Sequence, residues 1–371
     1  MLQYASFSFK QQQAPNLPFF QYVRSTFIWG GHRIQSLNLV SQIISEIQIL
    51  CLLIKNLFDS DQDAALDPYS AFWSRFTRYF TLQDLLDYQS QGASFVLYII
   101  SIVVVITLLL ASVYVIVAFI RRAKVSTAVL NIRINTSFVH YRCLFLYIHT
   151  ILLTVIIKSV RNENIWPACN TSFLIGFSIF VFILNTGSAF MVTNNSFDLL
   201  KTDYILSSRT ATSCILSWIF KWVDVLLALL LTSEEAKKWA RIAFAILFLG
   251  LRLWLYLEEM PYYHFWPLKI ILQFQIVHMS VVAILLLKNF TNVFSDYSIT
   301  VVMYFITMMF PLVAKIGSSI MDSFLSTYAT KHNKKIKTVN QFFKKQFALN
   351  HIIKVGLEAR ALPGSKKESH L

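Results

Sequence analysis

Lys221 and Asp224 lie three residues apart in the apolar run SWIFKWVDVLLALL, a spacing that puts both on one face of a helix. An ammonium and a carboxylate so placed can neutralise each other, or they can pass a proton or an ion between them. Insertion of a charge at the centre of a bilayer costs about 2.5–3.5 kcal/mol, so the self-neutralising pair is the simpler reading and the relay the functional one. Arg252, in the next apolar segment, could instead join Asp224 and leave Lys221 free. His149 and His278 also fall within apolar runs, where an imidazole either relays protons and senses pH or hydrogen-bonds a neighbouring helix. Glu46, flanked by Gln42 and Gln48, reads as a buried carboxylate or as an interfacial residue of a tilted helix. In MMFPLVAKIGSS, Pro311 removes a backbone donor and Gly317 loosens the next turn, which together make a hinge, while Lys315 snorkels to the interface.

The elements that must position these residues are apolar helices. From Ser94 to Ile120 the chain runs without a charge, long enough at about 1.5 Å per residue to cross a hydrocarbon core of roughly 30 Å. Seven further segments resemble it, giving helices near 36–58, 94–120, 139–160, 173–192, 213–232, 241–257, 264–287 and 299–321. The fold class is therefore all-α, a polytopic transmembrane bundle of about eight spans. The first and sixth segments carry Glu46, Lys55 and Arg252, and if either lies in the interface the count falls to seven or six. The composition agrees, with 56% apolar and 14% charged residues against a soluble average of about 25% charged.

The boundaries that follow are a cytoplasmic N-terminal segment over 1–35, a transmembrane region over 36–322 with an outer loop at 59–93, and a basic cytoplasmic tail over 323–371. Arg121, Arg122, Lys124, Arg133 and Arg142 put the connection after the second span inside, and the ten basic residues beyond Thr330 put the tail there too. Lys237, Lys238 and Arg241 count against this orientation, since they fall outside in an eight-span arrangement. In the outer loop, Phe72, Trp73, Phe76, Tyr79 and Phe80 recur at spacings of three and four, an aromatic stripe suited to a short helix on the membrane surface or capping the bundle.

The net charge of +14 sits beside apolar spans and in the tail, which points to the lipid bilayer and anionic inner-leaflet lipids as partners rather than nucleic acid. The first fifteen residues lack the pattern of a secretory signal, so membrane entry is expected through a mature span. Cys51, Cys143, Cys169 and Cys214 show neither a disulfide framework nor a metal-ligand spacing. No HExxH, GxSxG or Walker loop occurs, so neither an enzyme nor a cofactor site is expected. Nine glycines and no internal repeat count against the broken-helix architecture of secondary transporters.

The stretch LVSQIISEIQILCLLIKNLF, the loop with AFWSRFTRYF, and the long uncharged second span resemble the membrane region of the tiny macrocysts family of protist proteins, a likeness that could cover most of residues 33–330. Members of that family are typically large, with a multi-span region and cytoplasmic parts that can include a PAS-type sensory domain. The resemblance implies a role in sensing or signalling with a cytoplasmic signalling partner, and it carries over no catalytic residue. The family pattern continues past the point where this sequence stops, at Leu371, so either the tail docks a partner or the chain continues in the native product. The rival expectation is an ion channel or proton-coupled carrier that uses Lys221 and Asp224.

Overall fold

The computed structural model describes residues 35–58, 68–81, 91–121, 126–161, 166, 169–195, 212–259, 265–291, 304, 307–320 and 322–323. The acidic stretches 59–67 and 82–90, the first 34 residues and the basic tail lie outside the described residues. Among the described residues every regular element is helical. In chain order they are α1 (Gln35–Phe58), α2 (Pro68–Thr81), α3 (Gln91–Ile120), α4 (Thr127–Val139), a π-helical turn π1 (His140–Leu144), α5 (Phe145–Val160), α6 (Thr171–Asn195), α7 (Thr212–Leu230), α8 (Glu234–Glu259) and α9 (Phe265–Thr291). A shorter apolar helix, α10, covers Thr307–Ile320.

Six segments are long and apolar enough to cross a membrane: Ser94–Ala118, His140–Val160, Thr171–Phe190, Thr212–Leu230, Glu234–Glu258 and Pro267–Phe290. The polytopic bundle stands, and the sixth expected segment is longer than the sequence suggested, starting at Glu234 rather than near 241. The first and last expected spans fall outside these six. α10 is described over Thr307–Ile320 alone, the rest of the expected 299–321 span lying largely outside the described residues, and α1 is long but carries Ser41, Gln42, Ser45, Glu46 and Gln48, all buried. It packs against α2, α4, π1, α7 and α9, so the neighbouring helices supply its environment.

α3 behaves oppositely. Tyr98, Ile102 and Val105 form a narrow buried stripe while Val96, Ile100, Val103 and Leu110 stay more than half exposed, as an all-apolar helix can when lipid is its solvent. One core joins Ile49, Leu52 and Leu53 of α1 with Phe220, Leu249, Val281 and Val313. A second joins α3, α5 and α6 beneath Trp166, whose Nε1–H donates to Ser94 Oγ at 3.3 Å. Two ends of the bundle follow from the contacts. Ser94, Trp166, Arg161 on the carbonyls of Leu229 and Leu230, and Tyr69 on Thr307 share one end. Tyr256 on the Leu268 carbonyl and Lys269 beside Asp322 share the other.

Candidate functional site

The polar residues of α1 make the centre of the bundle. Glu46 is fully buried and takes a two-point grip from Arg252 of α8, with Nη1 to Oε2 at 2.9 Å and Nη2 to Oε1 at 2.6 Å. Gln42, one turn earlier, donates to Glu46 Oε1 at 2.9 Å. His278 of α9 lies with Nε2 3.1 Å from the Glu46 carbonyl, and since a carbonyl only accepts, the imidazole proton is on Nε2.

Lys221 enters the same centre from α7. Its Nζ donates to Ser45 Oγ and Gln48 Oε1, each at 2.7 Å, and to the Arg142 carbonyl at 3.3 Å. Gln48 passes the connection on, donating from Nε2 to the Cys143 carbonyl at 2.7 Å. Both carbonyls belong to π1, whose wider i to i+5 turn, closed by the Phe145 N–H on the His140 carbonyl, exposes main-chain oxygens that a tight α-helix would hide. Lys221 is thus a buried ammonium, 2% exposed, held by three neutral oxygens.

Asp224 does not pair with it. Its carboxylate takes Arg241 of α8, with Nε to Oδ1 at 3.0 Å and Nη2 to Oδ2 at 2.8 Å, and both side chains are almost fully buried. The self-neutralising pair read from spacing is corrected here for a physical reason. The shared face exists, but a guanidinium offers a carboxylate two parallel donors where an ammonium offers a point charge, and the long lysine stem reaches past to α1. Arg252 likewise takes Glu46 rather than Asp224. Arg241, read from sequence as a loop charge, is buried at 1% exposure, while Lys237 pairs with Glu234 at 2.7 Å. One of the three charges counted against the orientation is therefore neutralised inside the bundle. A sequence signal existed: Arg241 and Arg252 are eleven residues apart, about three helical turns, and so share a face.

His149 belongs to a second buried cluster that spacing did not predict. His140 Nε2 lies 2.6 Å from Asn185 Oδ1, and Asn185 Nδ2 lies 3.2 Å from His149 Nδ1. With the amide so oriented, His140 donates from Nε2 and His149 accepts at Nδ1, which leaves the His149 proton on Nε2. Nine residues apart on a uniform α-helix, these histidines would face opposite ways; the wider turn of π1 between them takes up roughly one residue of rotation and turns both toward α6. His278 sits apart from this pair, on Glu46.

Pro311 is exposed on α10, and Gly317 is buried against α9, where an added Cβ would meet Ile276 Cδ1 at 2.8 Å. Gln273 donates to the Ala314 carbonyl across the same contact at 3.0 Å. The structure thus gives Gly317 a close helix approach, beside whatever freedom it lends the backbone. On α2 the rings of Phe72, Phe76 and Phe80 stack in series and Trp73 meets Phe72 and Phe76 edge-on, but the buried face is Ser74, Thr77 and Thr81. Small hydroxyl residues let α2 approach α1, and part of the aromatic stripe, led by Phe72, faces outward.

These features define a polytopic helical membrane protein with charged side chains paired at its centre. Comparison with protein-family models, with curated proteins and with solved structures finds no match to this chain.

Proposed function

We propose that the chain is the membrane module of a sensory or signalling protein and that α1 is its responsive element. One observation carries this reading: among the described helices α1 buries the most polar side chains, and it is latched to its neighbours by breakable polar contacts, to α8 through Glu46–Arg252, to α7 and π1 through Lys221, and to α9 through His278. Such latches form discretely or not at all, so rearranging them moves a whole helix rather than a side chain. The resemblance of the first spans to a family with sensory domains points the same way. The test places nitroxide labels at Val40 of α1 and Leu247 of α8, both exposed, and follows their separation in nanodiscs under pH steps and an imposed ion gradient. Two distance populations whose ratio shifts support the module; one invariant population under every condition refutes it.

A proton-coupled carrier is the second reading, favoured by the His140–Asn185–His149 chain, whose outer nitrogens have no partner among the described residues. Proton flux into proteoliposomes that exceeds protein-free vesicles and disappears in Asn185→Leu, which breaks that chain, would support it. Asp224→Asn would not serve that purpose, because it takes the carboxylate from Arg241.

A further inference from the structure

Part of the hydrogen-bonding capacity that the described residues leave unused lies together between α5, α6 and α7. His149 Nε2, Trp218 Nε1 and Trp222 Nε1 are buried and have no partner among the described residues. His149 is gripped on its other edge by Asn185, so its Nε2–H points away from the polar chain. Its ring packs on Phe145 at 4.3 Å and Phe182 at 4.4 Å and meets Trp222 edge-on at 6.4 Å, while Trp218 packs on Phe145 at 5.3 Å. Trp218 and Trp222 are one turn apart on α7 and face the same side. All three unpartnered groups only donate, and they lie in one aromatic assembly. The hydroxyls of Ser217 and Thr186, next in chain to Trp218 and Asn185, are also unpartnered and can rotate to donate.

Charge points the same way as the donors. Around the centre three cations, Lys221, Arg241 and Arg252, meet two carboxylates, Glu46 and Asp224. Lys221, the third of these basic groups, comes from α7, the helix that also carries both tryptophans, and gives its donors to neutral oxygens of α1 and π1. Unsatisfied donors walled by aromatic faces are complementary to an acceptor carrying negative charge on an apolar body.

We propose that His149, Trp218 and Trp222 form a binding site for a monocarboxylate with an apolar body, the carboxylate on the three N–H groups and the body against Phe145 and Phe182. The proposal concerns binding alone and stands whether the bundle signals or transports. Equilibrium dialysis of the full chain in lipid nanodiscs, corrected against empty nanodiscs, would use benzoate as the probe. Saturable binding is expected, weakened about 10-fold or more by His149→Phe and by Trp222→Phe, since a hydrogen bond to a charged acceptor is the kind removed. Competition by laurate supports a free or lipid-derived acid alike, and saturable binding of laurate without benzoate supports a lipid-derived ligand. Equal binding of uncharged benzyl alcohol overturns the anionic assignment. No saturable binding of either acid, or unchanged affinity in a folded Trp222→Phe protein, overturns the site.

Discussion

Removing the carboxylate of Glu46 tests the centre of the bundle most directly. Glu46→Gln keeps the side-chain volume and one acceptor oxygen, so packing changes little, but it leaves the Arg252 guanidinium charged in a site where both partners are at most 1% exposed. Breaking one half of such a pair costs about 3–5 kcal/mol, because the surviving charge keeps its desolvation penalty and loses its counter-charge. Neutral hydrogen bonds between membrane helices average only about 0.6 kcal/mol, since the unfolded chain in lipid also finds partners. The two estimates differ by a factor that a measurement resolves. The geometry decides for the larger, as contacts of 2.6 and 2.9 Å hold both oxygens of one carboxylate. Arg252→Gln is expected to cost a similar amount. The double substitution should cost less than the sum by about 0.5–3 kcal/mol, because a neutral pair strands no charge. Denaturation in bicelles, followed by far-UV ellipticity at two salt concentrations, measures all three, and the loss should be nearly independent of salt because the pair is shielded from counter-ions. Single-variant losses below about 1 kcal/mol, or strict additivity in the double, would refute the view that this pair latches α1 to α8.

Lys221→Met removes the surplus buried charge but strands Ser45 and Gln48; the desolvation relief and the lost hydrogen bonds oppose each other, so stability in the same assay should move by no more than about 1 kcal/mol. Asn185→Leu deprives both His140 and His149 of a partner and should cost about 1–3 kcal/mol, with a changed tautomer pattern in 15N spectra of the imidazoles as the specific sign. Gly317→Leu should separate α10 from α9 at a cost of about 1–3 kcal/mol, and Ile276→Ala in the same chain should recover part of it, since Ile276 Cδ1 is the atom in the way. Equal thermal unfolding of the Gly317→Leu protein with and without Ile276→Ala would show that the contact is not limiting.

The all-helical bundle was legible in the sequence because a span must be long and apolar wherever it packs, and a run such as Ser94–Ile120 states both locally. The residues of interest were legible by the same logic, since Glu46, Lys221, Asp224, Arg252, His149 and His278 announce themselves as polar groups among apolar ones. Their partners were not. Lys221 and Asp224 are close in sequence and share a face, yet each bonds across a helix boundary, to Ser45 176 residues away and to Arg241 seventeen away. Arg241 looked like a loop charge because it stands at the very start of the apolar segment expected over 241–257, and only the helix continuing back to Glu234 brings it opposite Asp224. His140 and Asn185 became a pair through a π turn, an i to i+5 register that no residue spacing encodes. Local hydrophobicity thus determined which segments are helices and which side chains are costly to bury. The packing of α1 among its neighbours decided how that cost is met, because ion pairing depends on distances between helices and a chain of residues does not carry those distances along its length.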